Sequence, residues 1–447
     1  MTSPETPKPS PGGLLKVLGV AFGIAIIVGS TIGSGILRTP GDIAAALPSP
    51  AWFFGVWIAG GLYALGGAMT MAELAVAVPR SGGQYTFARR AFGEYPGFVI
   101  GWTDWFSVCG SAAAGAIAFG ELSGALIPAI STWQTPIGIA VVLAFTVIHW
   151  IGVRSGDRTQ QILSLLKTLA ILAIAVACFT VPRGAGSGSA TGVFPVGTAF
   201  VAALVLSFQG VLFTYDGWNG MVYFSGEVKD PARQIPRAMA WGVVTVALVY
   251  LALNAAFVYA LGMGDLAGEK FAAAAAAKVV FGDTGERIVA AVMAVSLLGN
   301  VSAILMQAPR IPHAMAGDGL MPSAITRVNV GGTPSVALLV SAAVTIALVL
   351  SGSFNAVLAI SAFFFVLQYA SSFLAVFVLR RREPDLPRPY KAWGYPVVPA
   401  IVLVGALAFL AGNFVTDRTN SINALYVLVA SIPAYFITRR LVSARRV

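Results

Sequence analysis

Charge is what this chain lacks most. Only 10% of its 447 residues are Asp, Glu, Lys or Arg, whereas 57% are hydrophobic and the mean hydropathy is +0.82. A water-soluble fold of this length needs a far more polar surface, so the composition excludes the soluble globular classes and implies a polytopic membrane protein. Cysteine is nearly absent too. Cys109 and Cys178 both lie in apolar stretches, read as small buried hydrophobes, and exclude a disulfide framework or thiolate metal site. The two histidines, His149 and His313, are far apart and near predicted span ends. There is no His-x-Glu-x-x-His and no Gly-x-Ser-x-Gly with a histidine at depth, so the chain reads as neither an enzyme nor a metal or cofactor protein.

The charges that are present are sorted. The net charge is +10. Lys16, Arg80, Arg89, Arg90, Arg154, Arg158, Lys229, Arg233, Arg237, Arg310, Arg327, Arg380–Arg382, Arg388, Lys391, Arg439 and Arg440 fall on alternate loops and the tails. The opposite loops carry only Arg183, Lys270, Lys278, Arg287 and Arg418. Segregation of this kind is the positive-inside pattern; it places both termini in the cytoplasm and argues against a nucleic-acid partner. Met1–Gly13, rich in Pro and Ser, reads as disordered cytosolic tail and not as a signal peptide.

Apolar runs of about 20 residues predict about twelve spans. They are centred on Val17–Ala46, Ala51–Val78, Glu94–Ile127, Pro136–Val153, Arg158–Phe179, Thr198–Phe224, Ala238–Met263, Glu286–Ala316, Pro334–Leu350, Asn355–Leu379, Pro396–Val415 and Ile422–Ile437. Pro182–Pro195 reads as a flexible outer loop, and Ala272–Ala277 as a short helix lying over the bundle.

The first span carries the main anomaly. Gly29-Ser30-Thr31-Ile32-Gly33-Ser34-Gly35 interrupts it with three glycines and two serines. Glycine costs about 1 kcal/mol per residue inside a helix. In hydrocarbon a broken helix strands backbone polar groups, which is tolerable only against a cavity or ligand. A half-helix restarting near Ser34 would aim N–H groups and a positive dipole end at an anionic group such as a carboxylate. Close packing through Gly29-xxx-Gly33 is the plainer reading, but it leaves Ser30, Thr31 and Ser34 unexplained. A second polar interruption, Phe213-Thr214-Tyr215-Asp216-Gly217-Trp218-Asn219, falls in the sixth span. Five spans apart is an odd number, so the second unit enters the membrane inverted; paired breaks of this kind mark a transporter built on inverted repeats. The expected division is a disordered tail over 1–16, a first five-helix repeat over 17–182, an inverted second repeat over 183–381, and two last helices with a cytosolic C-terminus over 382–447.

Several polar residues lie at depth. Lys167 sits about 14 Å into the fifth span, counted at 1.5 Å per residue, too deep for ready snorkelling. Its ammonium would bond first-span carbonyls near Gly29–Ser30, at the negative end of the first half-helix. Asp216 has two readings, a cap for the second half of the sixth span or a partner for a cationic side chain or α-ammonium. Asp104 reads as a structural hydrogen-bonding group near the cytosolic side, paired with a loop arginine, rather than as a proton carrier; Glu73 and Glu121 are further candidates. Arg38 would either pair with a carboxylate or face an outer vestibule.

Together with Ile32-Gly33-Ser34-Gly35-Ile36, these pieces resemble the amino acid–polyamine–organocation superfamily, in its L-type amino-acid transporter branch: Ala72-Glu73-Leu74, Pro79-Arg80-Ser81-Gly82-Gly83-Gln84-Tyr85, Tyr215-Asp216-Gly217-Trp218-Asn219, Asp230-Pro231, Ile235-Pro236-Arg237, Asp318-Gly319-Leu320-Met321-Pro322 and Pro387-Arg388-Pro389-Tyr390-Lys391. The resemblance implies an all-α membrane fold like the bacterial leucine transporter, with two inverted repeats of five helices, helices 1 and 6 broken, and two further helices. It implies alternating-access transport of an L-amino acid. The carboxylate would meet Gly33, Ser34 and Gly35, with Ile36 next to them. The α-amino group would meet carbonyls of Thr31, Ile32, Phe213 and Thr214, with Asp216 and Gly217 beside the substrate and Phe213 as a gate. Lys167 would occupy the position at which sodium-driven relatives hold an ion. The expected function is sodium-independent exchange of neutral L-amino acids across a bacterial inner membrane. The alternatives are cationic amino-acid or polyamine transport, or proton-coupled symport. With no cysteine in Ile127–Pro136, no disulfide-linked heavy chain is expected; the partners are the substrate and the lipid bilayer.

Overall fold

The computed structural model describes residues 13–182, 194–351, 354–416 and 418–443. Most of the expected tail, the core of the loop expected over Pro182–Pro195, and the last residues of the chain lie outside the described residues. Along the chain the helices are α1 (Val20–Thr31), α2 (Gly35–Ala46), α3 (Pro50–Ala77), α4 (Gln84–Phe92), α5 (Glu94–Leu126), α6 (Gln134–Ile151), α7 (Val153–Cys178), α8 (Thr198–Tyr215), α9 (Pro231–Leu266), α10 (Ala272–Phe281), α11 (Gly285–Gln307), α12 (Arg310–Gly317), α13 (Ser335–Leu350), α14 (Phe354–Arg382), α15 (Val397–Thr416) and α16 (Arg418–Ser443). Among the described residues the only β pairing is two isolated bridges, Leu18 with Val228 and Val328 with Pro334.

Ten helical segments are long and apolar enough to cross a bilayer, and α1 with α2, bent by 54° at their break, forms an eleventh. The apolar α13 is shorter, at 16 residues, and stands at the remaining expected position. The all-helical membrane fold and the broken first span are therefore present. The centre of the bundle is α1, which packs against α7, α9 and α11. The long α5 packs against α6, α11, α13 and α14 and forms the opposite wall.

Three local features add to the expected spans. The segment after Pro79–Gly83 is a helix, α4, whose entry is set by Gly82 and Gly83, both at positive φ (128° and 63°). The eighth span runs on to Gly317, with a two-residue turn at Ala308–Pro309 between α11 and α12 whose backbone stays in the helical region. The sixth span does not resume as an α-helix after its break; Gly220–Glu227 is a 3-10 helix.

One end of the bundle is held by ion pairs that join distant parts of the chain. Arg310 meets Glu227 at 2.9 Å with both side chains buried, donates to Met306 O at 2.5 Å, and lies over the Phe224 ring at 4.6 Å. Ser81 donates to the same carboxylate at 3.1 Å. Glu73, buried in α3, accepts from Arg380 at 2.8 and 2.6 Å and from the Ala392 N–H at 2.7 Å. Asp318 collects Arg80 at 2.9 Å, Arg89 at 2.7 Å and the Tyr85 hydroxyl at 2.9 Å. Arg90 pairs with Glu383 at 2.6 Å. We call this the basic end.

Removing one partner of a buried pair leaves a bare charge, a loss of about 3–5 kcal/mol, whereas removing both costs less. Arg310→Met should therefore lower the melting temperature in detergent more than the double variant Arg310→Met/Glu227→Gln. A double variant less stable than the single one would refute this account.

Candidate functional site

The break in the first span has two unlike ends. Geometry leaves the last carbonyls of any helix without intrahelical partners. At the end of α1 buried side chains take them up in turn. Lys167 Nζ donates to Gly29 O at 2.8 Å and Ile32 O at 2.7 Å, Asn300 Nδ2 donates to Ser30 O at 2.8 Å, and the Tyr250 hydroxyl lies 3.0 Å from Thr31 O. The first N–H groups of α2 have no intrahelical acceptors either, and no side chain caps them. They open on a cavity. A negative helix end met by an ammonium and a positive end left free is a polarised arrangement suited to an anion on the free side.

The second break lies against the first at Gly217. Its φ is +110°, a region that suits glycine, and a Cβ there would stand 2.8 Å from Ser30 C and 2.9 Å from Thr31 N. The Tyr250 hydroxyl ties the two breaks from behind, at 3.0 Å from Thr31 O and 2.9 Å from Thr214 O.

The cavity between the breaks measures about 170 Å³. Thr31, Gly33, Ser34 and Gly35 line it from the first break, and Phe213, Thr214, Asp216 and Gly217 from the second. Of the residues singled out from the sequence, Ile32 and Ile36 are not among its lining: both side chains are fully buried in the core. Lys167 lies behind the first break and reaches the site only through the carbonyls it holds. Of the four carbonyls expected to meet an amino group, Ile32 accepts from Lys167 and Phe213 from the Asp216 N–H at 3.2 Å, while Thr31 and Thr214 share the single hydroxyl proton of Tyr250. Each retains a second lone pair.

Asp216 follows α8 directly. Its carboxylate accepts from the Tyr369 hydroxyl of α14 and from the Gly217 N–H, and it does not cap the 3-10 helix that follows, whose N-cap is Asn219 with no side-chain cap. Phe213 remains 43% exposed at the cavity, as a covering group would. Arg38 has no carboxylate partner among the described residues; it is exposed and lies over the Phe271 ring at 5.3 Å. Asp104 does not meet a loop arginine. The arginines of the basic end are engaged by Asp318, Glu227, Glu73 and Glu383, and Asp104 accepts from the Tyr223 hydroxyl at 2.8 Å.

Other cavity residues were not picked out from the sequence. Asn300 and Gln307 lie two turns apart on α11, one donating to Ser30 O and the other to Ser30 Oγ, each at 2.8 Å. Two amides on one face of an apolar helix were a usable signal. Tyr369 and Tyr223 gave no such signal, because tyrosines in apolar spans are common packing residues. The wall facing the breaks is made of small residues of α5, Ser111, Ala114 and Gly115 among them. Among the described residues no group of His, Cys, Asp or Glu is placed to hold a metal ion, and both cysteines are buried thiols.

The sequence signature of the amino acid permease family matches residues 18–434. The serine/threonine exchanger SteT of Bacillus subtilis is 30% identical to the chain over 95% of its length and 97% of the relative's. The large neutral amino acids transporter small subunit 2 of Mus musculus is 28% identical, covering 98% and 84% of the two chains. The b(0,+)-type amino acid transporter 1 of the same species is 27% identical, covering 90% and 84%.

The Gly217 contact is directly testable. Gly217→Ala combines backbone strain of about 1–2 kcal/mol with a clash against the first break. Gly197→Ala, at φ +60° with nothing within 4 Å, carries the strain alone. Melting temperatures in detergent should fall further for Gly217→Ala; equal losses would mean that the breaks do not depend on this contact.

Proposed function

The chain belongs to the amino acid permease family, a family of transporters and not enzymes, and from that premise we propose that it exchanges neutral L-amino acids across the membrane without sodium. In this reading the substrate carboxylate sits on the open N–H groups of α2 at Gly33, Ser34 and Gly35. The α-ammonium takes the remaining lone pairs of Thr31, Ile32, Phe213 and Thr214. Asp216 and Gly217 lie beside it, and Ile36 helps fix the first turn of α2 from the core side.

The observation that carries the reading is Lys167. Unwound carbonyls at a half-helix end are where transporters of this type coordinate a coupling cation. Here an ammonium belonging to the protein already spans two of them, Gly29 O and Ile32 O. A resident cation there makes a sodium ion unnecessary. The neutral preference follows from Asp216, whose carboxylate is already engaged by the Tyr369 hydroxyl and the Gly217 N–H. A cationic side chain would have to compete for it. The cavity and the name of the Bacillus subtilis relative both favour a small side chain, such as serine or threonine. Cationic amino-acid or polyamine transport is the second reading, kept because Asp216 lines the cavity at all.

We further propose that the basic end faces the cytoplasm of a bacterial cell, so that both termini are cytoplasmic in the inner membrane. Residues 17–182 and 183–381 then form the two inverted repeats.

Proteoliposomes preloaded with L-serine should take up radiolabelled L-serine equally well with and without sodium, and empty vesicles should take up little. Serine, threonine and alanine should compete, and arginine and putrescine should not. Sodium dependence, or competition by arginine ahead of alanine, would refute the corresponding part. Lys167→Ala removes two charge-assisted hydrogen bonds, each worth about 1.5–3 kcal/mol, and should reduce exchange by tenfold or more at equal protein incorporation. Unchanged exchange would remove Lys167 from the mechanism.

A further inference from the structure

One buried acid is left over. Asp104 lies in α5, one turn from Val108 and two from Ser111, both of which line the cavity, and its side chain is fully buried. The other buried carboxylates outside the cavity, Glu73 and Glu227, hold arginines. Asp104 has none. Its Oδ1 accepts from the Tyr223 hydroxyl at 2.8 Å, and its Oδ2 has no hydrogen-bond partner among the described residues. An isolated carboxylate ion removed from water is far more costly than the neutral acid, so a bare, cation-free position of this kind is a place where a proton binds.

The surroundings of Asp104 are neutral on every side. The 3-10 helix contributes Tyr223, and α14 contributes Gln368, whose amide lies 3.2 Å from Asp104 Oδ1 and from Gln84 of α4. Tyr85 of α4 is engaged by Asp318, as are Arg80 and Arg89. Arg310, at the start of α12, is on Glu227, His149 of α6 is on Ser302 O, and Tyr435 of α16 is on Glu94. From α13 comes Ser341, which accepts from Trp105. The titratable groups connected to Asp104 all lead to the cavity. Tyr223 lies 3.5 Å from Asn219 Nδ2, Asn219 Oδ1 lies 3.4 Å from the Tyr369 hydroxyl, and Tyr369 donates to Asp216.

We infer that Asp104 is a proton-binding site coupled to occupancy of the cavity through Tyr223. Tyr223 and Asn219 both line the cavity. A bound amino acid that draws the Tyr223 hydroxyl toward itself takes away the shorter of the two donors on Asp104 Oδ1 and leaves only the Gln368 amide at 3.2 Å. The carboxylate then takes a proton from solution on Oδ1 or Oδ2. Substrate and proton bind together, and by reciprocity a proton on Asp104 frees Tyr223 for the substrate. In exchange a proton accompanies the amino acid in each direction, so no pH gradient is consumed. This inference rests on the reading that the cavity holds the amino acid.

The test is binding of radiolabelled L-serine to the purified full-length protein between pH 5.5 and 8.5. Affinity should weaken with rising pH, by up to about tenfold per pH unit, the limit for one linked proton. In weakly buffered solution with an indicator dye, serine should cause proton uptake. Asp104→Asn should bind serine with a flat pH profile at the acid-side affinity and take up no proton. Tyr223→Phe, which removes the hydroxyl donor from the carboxyl whether or not substrate is bound, should give the same flat profile and covers the case in which the first variant does not fold. A flat profile in the unmodified protein, with binding intact, overturns the proton site and leaves the cavity reading standing. A slope that survives in Asp104→Asn also overturns it and moves the linked proton elsewhere, Lys167 being the next buried ionisable group. Absence of serine, threonine or alanine binding at every pH overturns both readings.

Discussion

The structure depends on how one broken helix settles its backbone in a medium without water. Hydrocarbon offers no partners for the carbonyls that α1 leaves exposed at its end, so the protein must supply donors or the break cannot exist. It supplies three side chains from three helices: Lys167 from α7, Tyr250 from α9 and Asn300 from α11. These are also the helices that pack around α1. The packing of the core and the satisfaction of the break are thus one constraint. Lys167 is the strongest of the three, since a charged donor bonds more strongly than a neutral one and here faces the negative end of a helix.

Satisfying only one end has a consequence for the other. Had both ends been capped by side chains, the break would be a structural kink. Instead the carbonyl end is closed and the N–H end of α2 is left to the cavity. Gly217 then matters because it brings the second break within van der Waals reach of the first. Two half-helix ends, one glycine contact and a tyrosine behind them bring the backbone of both breaks to one side of the pocket, whose other walls are side chains of α5, α11 and α14. On the proposed reading the backbone side meets the frame common to all amino acids, so side-chain preference comes from the other walls. The walls available for it are the small residues of α5 and the Asp216–Tyr369 pair.

How much of this was legible in the sequence follows from the physics of each signal. The break was legible because Gly29 to Gly35 violates helix propensity where the apolar pattern demands a helix. Lys167 was legible because a charge at depth has so few acceptable partners that carbonyls at a helix end were nearly the only ones on offer. Asp104 was misassigned to a loop arginine: its depth could be counted, but which carboxylate each arginine would choose could not. That choice depends on where α4 and α12 lie, and both are placed by long-range packing. Ile32 was named for its carbonyl, which Lys167 holds, and Ile36 as its neighbour in the motif; the side chains of both went to the core. Tyr250 and Tyr369 were not legible, since a hydroxyl at the end of an aromatic ring does not disturb an apolar pattern.

The two ends of the cavity are sealed to different degrees, and this bears on how it can open. Toward the basic end stand Tyr223, then Asp104, Glu227 and Arg310, all essentially without solvent contact. On the cavity itself Phe213 keeps 43% of its surface exposed. Separating Arg310 from Glu227 in a dry interior would leave two bare charges, each at a cost of several kcal/mol. Opening at the basic end is therefore favourable only if water enters as the pair parts. The pair thus acts as a threshold: small fluctuations leave it intact, and a movement large enough to hydrate both partners passes it in one step. Tyr223 and Phe224 belong to the same 3-10 turn, the first contacting Asp104 and the second lying under the Arg310 guanidinium. The lining of the cavity, the buried acid and the ion pair therefore all touch one 3-10 turn, and under the proposed proton coupling a shift of that turn would reach the carboxyl and the ion pair together.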